Sequence, residues 1–182
     1  MGELDHPVVV ELPLRGEWSV ERTPASRIPS HGTDLLGQRY AYDLVRTDHR
    51  PGFHLHPAGT LRWFVVGGRT RDCYGWGQPV HAAFDGEVVE AVDGVAERQW
   101  LHAVRESLMA VRNTWVFARR GLDPAGLAGN HVIVGAAGIY ALYAHLAPGS
   151  VAVTKGQRVR ADEVLGRVGH RGTRPPRTCT SS

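Results

Sequence analysis

Alternating apolar and polar positions predict short strands along most of the chain. The first strands are predicted at residues 7–14 and 16–20, and residues 22–37, rich in Ser, Pro and Gly, predict a loop. In residues 38–45 the side chains Tyr40, Tyr42 and Leu44 alternate with Ala41, Asp43 and Val45, which predicts a strand. On that strand Asp43 is expected to point away from its neighbour Tyr42.

Two Asp-Gly pairs bound the most regular β pattern. Residues 74–94 predict a hairpin of two short strands, joined by one Asp-Gly turn and closed by another. Further strands are predicted at residues 130–134, 139–146 and 150–153. Tight turns at Gly156 and Gly166 suit a small barrel or sandwich.

One segment has a different period. Between Ala96 and Arg120 apolar residues recur at three- and four-residue steps, at positions 100, 101, 104, 108, 111 and 115. This spacing predicts an amphipathic helix of about four turns. The predicted fold is therefore mostly β, a small barrel or sandwich, with one helical insertion around residues 96–120.

Composition and charge narrow the class of protein. The 182 residues, 42% of them hydrophobic, predict one globular domain. The net charge is +3 without a basic run among aromatic residues, so no nucleic-acid partner is expected. No stretch approaches the roughly 18 apolar residues of a membrane span and no signal peptide is visible. The default expectation is therefore a cytoplasmic protein, and the alternative is export by a route without a visible signal. Cys73 and Cys179 are expected to be free thiols, and the oligomeric state stays open.

Five motifs follow one another in a fixed order. They are Tyr-Ala-Tyr-Asp43, Gly77-Gln-Pro-Val-His-Ala-Ala-Phe-Asp-Gly-Glu-Val88, Gly129-Asn-His-Val-Ile-Val134, Tyr143-Ala-His-Leu146 and the glycine-punctuated residues 156–169. Together they span roughly residues 31–172 and resemble the lysostaphin/LytM-type zinc metalloendopeptidases, which cut peptide cross-bridges in bacterial peptidoglycan. Each motif is weak alone, and their order makes the resemblance specific.

The resemblance implies a fold like the duplicated hybrid motif and a Zn²⁺ site. In the family, zinc is held by a His and an Asp four residues apart and by the last His of a His-x-His pair, with water in the open position. Asp43 matches the ligand Asp, whereas Arg39 stands where the first His is expected and cannot coordinate a metal. His31 in the preceding loop is the predicted substitute ligand; the alternative is an ordinary surface histidine.

The remaining histidines divide between catalysis and structure. His145 matches the histidine of the Tyr-x-His-Leu motif, which implies a catalytic group that is either a base or a stabiliser of the tetrahedral intermediate; the alternative is a structural histidine. His81 and His131 occupy variable motif positions and are expected to be structural. Phe53-His-Leu-His56 has the spacing of a metal pair but lies in an irregular stretch, so it is interpreted as a chance match.

The C-terminal segment departs from the family pattern. A His-Leu-His-Phe strand is expected after Gly169, but residues 173–182 lack apolar periodicity and predict a disordered tail. These residues can be encoded by ACT CGA CCG CCC CGC ACC TGC ACT TCC AGC. Without its first two bases the string encodes Ser-Thr-Ala-Pro-His-Leu-His-Phe-Gln. We therefore expect that the reading frame slipped near His170 and that the His-Leu-His motif was lost.

These patterns predict three regions and one function. The regions are an N-terminal extension at residues 1–30, a metallopeptidase-like β domain at residues 31–172 with an insertion at 95–128, and the tail. The expected function is a degenerate or truncated peptidase-like domain, whose substrate class is peptidoglycan cross-bridges or another peptide. The alternative is a non-catalytic wall-binding or regulatory module of the same fold. A lipoyl-type carrier ranks last, because Lys155, the only lysine, lacks the expected flanking residues.

Overall fold

Short strands dominate the part of the chain that the structure describes. The computed structural model describes residues 9–30, 35–48, 55–58, 62, 65–102, 128–170 and 180–181. The strands are β1 (Ser19–Arg22), β2 (Asp43–Val45), β3 (Gly68–Arg69), β4 (Pro79–His81), β5 (Gly86–Val92), β6 (Trp100–Leu101), β7 (His131–Ala136), β8 (Ile139–Tyr143), β9 (Arg158–Val159), β10 (Val164–Arg167) and β11 (Thr180–Ser181). 3-10 helices lie at Leu35–Tyr40 and Thr70–Asp72. The predicted mostly-β class is confirmed.

The described strands form open antiparallel sheets. The largest has the order β8-β7-β5-β9, a second has the order β1-β2-β11, and the pairs β4-β10 and β3-β6 complete the set. An isolated antiparallel β-bridge pairs Leu146, which follows β8, with Val168, which follows β10. This bridge brings the segment after β8, which contains His145, beside the segment after β10.

One apolar core joins the largest sheet to the β4–β10 pair. Val88, Val132 and Val134 of the sheet and Leu165 of β10 are all 0% exposed and belong to the same cluster. A smaller cluster contains Val45, Leu55 and Cys73 with Trp76 packed against it. The first cluster includes Leu146 after β8 and Val168 after β10, so the segments that follow these strands pack on the core. Burial of apolar surface is the main stabilising contribution to such packing.

The predicted hairpin of residues 74–94 is wrong in its pairing. Both strands exist, but β4 pairs with β10, whereas β5 pairs with β7 and β9. The turn between β4 and β5 contacts the segment between β9 and β10: the Asp85 carboxylate accepts a hydrogen bond from the Ala161 N–H at 2.7 Å. At Gly86 an added Cβ would lie 2.7 Å from the Gly135 carbonyl oxygen, so this glycine is needed for β5 to approach β7.

Of two strands predicted in the first 45 residues, one is shorter than its pattern suggests and the other does not form. Residues 38–40 end a 3-10 helix, and β2 begins only at Asp43. Residues 9–14 run beside β4 without forming a strand: the Glu11 N–H donates to the Ala83 carbonyl and the His81 N–H to the Pro13 carbonyl. Proline has no N–H to donate, which prevents a continuous ladder there.

The predicted strand at residues 150–153, the predicted helix and the predicted tail also differ from the structure. Residues 150–153 contribute the Ala152 N–H bond to the Leu165 carbonyl but form no strand. The predicted helix does not begin at Ala96: residues 95–98 have no regular secondary structure, and Trp100–Leu101 forms β6 with β3. Residues 103–120 of that prediction lie outside the described residues. In the predicted tail, Thr180–Ser181 pairs with β2, and residues 173–179 lie outside the described residues.

Two further observations concern the cysteines and membranes. Cys73 is disulfide-bonded, so the expectation of free thiols is wrong; the other cysteine, Cys179, lies outside the described residues. Among the described residues no helix is both long and apolar enough to cross a membrane.

Candidate active site

Asp43 lies at the first position of β2, just after the 3-10 helix. Its side chain is buried, and its carboxylate Oδ2 is 4.0 Å from the Nε of Arg22, the residue opposite it on β1. A buried carboxylate is costly without compensating positive charge or hydrogen bonds. The guanidinium of Arg22 therefore supplies part of the positive charge at this position.

Arg39, at the position where the family has a histidine, lies on the surface. Its guanidinium carbon is 5.6 Å from the centroid of the Tyr40 ring, and its Nε donates to the Tyr40 hydroxyl at 3.2 Å. The guanidinium has no lone pair available for a metal at neutral pH. The structure therefore offers no ligand from this position of the helix.

The loop that leads to His31 is hydrogen-bonded to residues just before Asp43. The Ser30 N–H donates to the Arg39 carbonyl at 3.1 Å, and the Ser30 hydroxyl is 2.9 Å from the Ala41 carbonyl. Ser30 thus lies beside the segment that ends at Asp43. His31 itself lies outside the described residues.

His145 follows β8 in an unusual backbone conformation. The predicted strand at residues 139–146 ends at Tyr143, and His145 has φ +59°, in the left-handed region that few side chains occupy. Two backbone hydrogen bonds hold it there: its N–H donates to the Ala128 carbonyl, and its carbonyl accepts from the Gly169 N–H, both at 3.0 Å. Side-chain alternation therefore does not decide where His145 points.

Gly169 is necessary for that arrangement. A Cβ added at Gly169 would lie 2.5 Å from the backbone nitrogen of Ala147, a distance that real Cβ atoms do not reach. Only glycine lets the chain after β10 come close enough to bond to His145. This is a physical reason for the glycine that ends the last motif.

Glu97, which sequence reasoning missed, lies in this region. Its carboxylate accepts hydrogen bonds from the Trp76 indole Nε1–H, at 3.2 and 3.3 Å to its two oxygens, and from the backbone N–H of His170. Burial raises the pKa of Glu97 to about 7. A lone glutamate between two polar residues carries no sequence signal for this, because its partners come from distant segments.

His170 completes the same cluster. Its imidazole is buried, and burial together with the positive charge of Arg98 lowers the pKa of His170 to about 4. It is therefore neutral at physiological pH. Because His170 follows Gly169, the Glu97 carboxylate is anchored one residue from the backbone contact that holds His145.

Glu97→Gln is expected to stabilise the chain more at pH 8 than at pH 5. The pKa of Glu97 is 4.5 when unperturbed and about 7 when folded, so between these values only the folded chain keeps the proton. Its contribution to the free energy of unfolding therefore falls as the pH rises from about 4.5 to about 7. With allowance for solvent around this half-buried group, the difference between the two pH values is about 1–2 kcal/mol.

Denaturant titrations of wild type and variant at both pH values measure this difference. His170 acts in the opposite direction at lower pH, since its depressed pKa removes stability as the pH falls from 6.5 to about 4. Both chains contain His170, so its effect cancels in the comparison. Glu87→Gln, at an exposed position of β5, is the matched control and is expected to show no such pH dependence. Equal changes for Glu97→Gln at pH 5 and pH 8 would contradict the prediction.

The described residues do not form a zinc site. Among them no group of three His, Cys, Asp or Glu side chains is arranged to hold a metal ion. Asp43 and His145 are both described, but neither belongs to such a group of three among the described residues. The residues present in the described part of the chain therefore do not fit the metal that the family uses.

Comparison with known proteins identifies the family. A model of peptidase family M23 matches residues 74–178, more than half of the chain, and the match contains His145 but begins after Asp43. The chain belongs to peptidase family M23 and carries a metallopeptidase-like domain, which confirms the resemblance to the lysostaphin/LytM type. A search of curated proteins found no match.

Proposed function

We propose that this chain is a degenerate relative of the cell-wall peptidoglycan endopeptidases, with a peptide-binding β domain and an incomplete zinc site. The observation that carries this proposal is the residue set around Asp43. Arg39 stands in the place of the first histidine ligand, and residues 170–182 contain no His-x-His. A single carboxylate does not hold zinc at useful affinity.

The proposal gives His31 and His145 distinct functions. His31 is the substitute ligand, and the hydrogen bonds of Ser30 to the segment preceding Asp43 support it. His145 is the group that would act on the peptide, and the left-handed backbone enforced by Ala128 and Gly169 supports a specific position for it. Two ligands, Asp43 and His31, are still fewer than the three of a catalytic zinc site.

The lost C-terminal motif is part of the same proposal. In the shifted frame, the second histidine of His-Leu-His spans the codons of residues 179 and 180. Thr180 pairs with Val45 on β2, two residues from Asp43, which supports a former ligand strand at this position. Sequencing the gene over codons 168–182 tests the idea: codons incompatible with the string ACT CGA CCG CCC CGC ACC TGC ACT TCC AGC would refute it.

Zinc content per chain tests the degenerate site. After dialysis against zinc and removal of excess, the chain is expected to hold close to none by elemental analysis and to leave peptide cross-bridges uncut. The Asp43→Asn and His31→Ala variants should give the same value as wild type. About one zinc ion per chain in wild type, lost in both variants, would contradict the proposal and establish a two-residue site completed elsewhere.

A non-catalytic binding module is the second candidate function. It is favoured by one specific observation, a polar cavity beside β3 and β6 that the candidate active site does not use. In such a module the chain binds a peptide or wall component without cutting it.

A further inference from the structure

A cavity of about 440 Å³ opens beside the β3–β6 pair. Its volume falls within the range of small-molecule sites, roughly 300–1,000 Å³. The side chains that decide its chemistry are His56, Arg62, Arg69, Asp72 and Trp100. None of these residues belongs to the site around Asp43 and His145, so the cavity is unexplained by the proposed peptidase function.

His56 forms a neutral wall of the cavity. It is buried, its Nδ1 accepts a hydrogen bond from the Ala58 N–H at 2.9 Å, and its Nε2 lies 3.2 Å from the Arg69 carbonyl. This pattern assigns the proton to Nε2 and occupies both ring nitrogens. Burial lowers the pKa of His56, which keeps the imidazole neutral. His56 therefore shapes the cavity and is not available as a metal ligand.

Two arginines and one aspartate are among the residues that line the cavity. Arg62 and Arg69 are exposed, and no carboxylate of the described residues forms an ion pair with either of them. Asp72 is the acidic residue of the described lining, and its carboxylate lies 3.9 Å from Nε2 of His56. Among the described residues, the lining therefore carries one more positive than negative charge and contains both signs.

The described lining also contains two glycines and a tryptophan. Gly67 and Gly68 are buried and add no side chains to the wall. Trp100 is held by a hydrogen bond from its Nε1 to the Val66 carbonyl at 3.1 Å, so its ring has a fixed position at the rim. An indole beside charged groups offers apolar contact to a ligand stem.

We propose that this cavity binds the zwitterionic end of a free amino acid or short peptide. The ligand carboxylate lies on Arg62 and Arg69, because the guanidinium fork matches a carboxylate in geometry. The ligand ammonium lies on Asp72, and a small side chain lies against Trp100. A purely anionic ligand lacks a partner for Asp72. The proposal goes beyond the degenerate-peptidase function and is independent of it, because no residue of the cavity belongs to the incomplete metal site. For the second candidate function, the binding module, the proposal names the ligand class.

Calorimetric titration of the full chain tests the proposal with four probes. Alanyl-alanine carries both charges, N-acetyl-alanine only the carboxylate, alaninamide only the ammonium, and inorganic phosphate is a generic anion. We expect alanyl-alanine to bind at least about tenfold more tightly than the other three, since each charged contact contributes on the order of one factor of ten. Phosphate binding as tightly as the dipeptide, or no binding of the dipeptide at all, would overturn the proposal.

Substitutions separate the two halves of the site. Arg62→Gln and Arg69→Gln should each weaken alanyl-alanine binding by about tenfold. Asp72→Asn should weaken alanyl-alanine binding and leave N-acetyl-alanine binding unchanged. Arg158→Gln, at an exposed arginine of β9 away from the cavity, is the control that should change nothing. Equal loss in Arg158→Gln, or unaltered dipeptide binding in Arg69→Gln and Asp72→Asn, would overturn the proposal. Zinc content is measured on the same samples, so failure of this site is distinguishable from failure of the proposed function.

Discussion

A chain with both missing histidine ligands restored is expected to bind about one zinc ion, whereas the present chain binds close to none. The restored chain carries Arg39→His and has Ser-Thr-Ala-Pro-His-Leu-His-Phe-Gln in place of residues 173–182. Together with Asp43 this supplies three ligands, which is the number that holds a catalytic zinc ion. β11 pairs with β2, so a strand at this position runs beside the one that begins with Asp43.

Single changes and one further variant make the test specific. Arg39→His alone should hold much less zinc than the combination, because it lacks the ligand of the C-terminal motif. The restored C-terminus alone should hold zinc only with His31 as its third ligand, so His31→Ala in that chain should release the metal. In the combined chain Asp43→Asn should abolish zinc binding. His145→Ala in the combined chain should keep the metal and lose hydrolysis of a peptide cross-bridge, since the proposal gives His145 no ligand function. Zinc absent from the combined chain would argue that the fold around β2 no longer supports a site.

Leu165→Ala is expected to cause the largest loss of stability among single core substitutions. Leu165 is 0% exposed on β10 and belongs to the main core cluster. Truncating a fully buried leucine removes its transfer free energy and leaves a cavity, at a cost of about 2–5 kcal/mol. For a domain of this length that corresponds to a Tm lower by about 5–15 °C.

Val164→Ala is the matched control for this prediction. Val164 is the preceding residue of the same strand and is 41% exposed, so its truncation should cost about 0.5 kcal/mol or less. Denaturant titrations under non-reducing conditions compare the two variants, since Cys73 is disulfide-bonded. Similar losses for both positions would mean that β10 does not face the core.

The order of the motifs was enough to predict the fold class and the family. Alternating positions, Asp-Gly pairs and glycine-bounded strands are local properties, and β5, β7 and the first part of β8 lie where the patterns predict them. Asp43 was also predicted on a strand, and β2 begins with it. These features depend on neighbouring residues, so a linear sequence contains them.

Pairing partners could not be predicted in the same way. The Asp-Gly signal at Asp85 and Gly86 indicates a reversal of the chain but not which strand lies beside β4. Its partner is β10, because Val80 and Leu165 are both buried in the core cluster and distant segments compete for the same edge. Likewise, the strand predicted through residue 146 ends at Tyr143, since backbone contacts from Ala128 and Gly169 hold His145 in a left-handed conformation.

The mostly-β class, the family and the residue types available for a metal site can all be read from the sequence alone. Arg39 and the absence of His-x-His from residues 170–182 are visible without coordinates, because a ligand's chemistry belongs to its side chain. Two properties depend on the tertiary structure: the environment of Glu97, where burial raises the pKa although hydrogen bonds from Trp76 and His170 oppose the shift, and the charge pattern of the cavity beside β3 and β6. Such properties arise where segments distant in the chain meet, and desolvation and charge depend on that meeting.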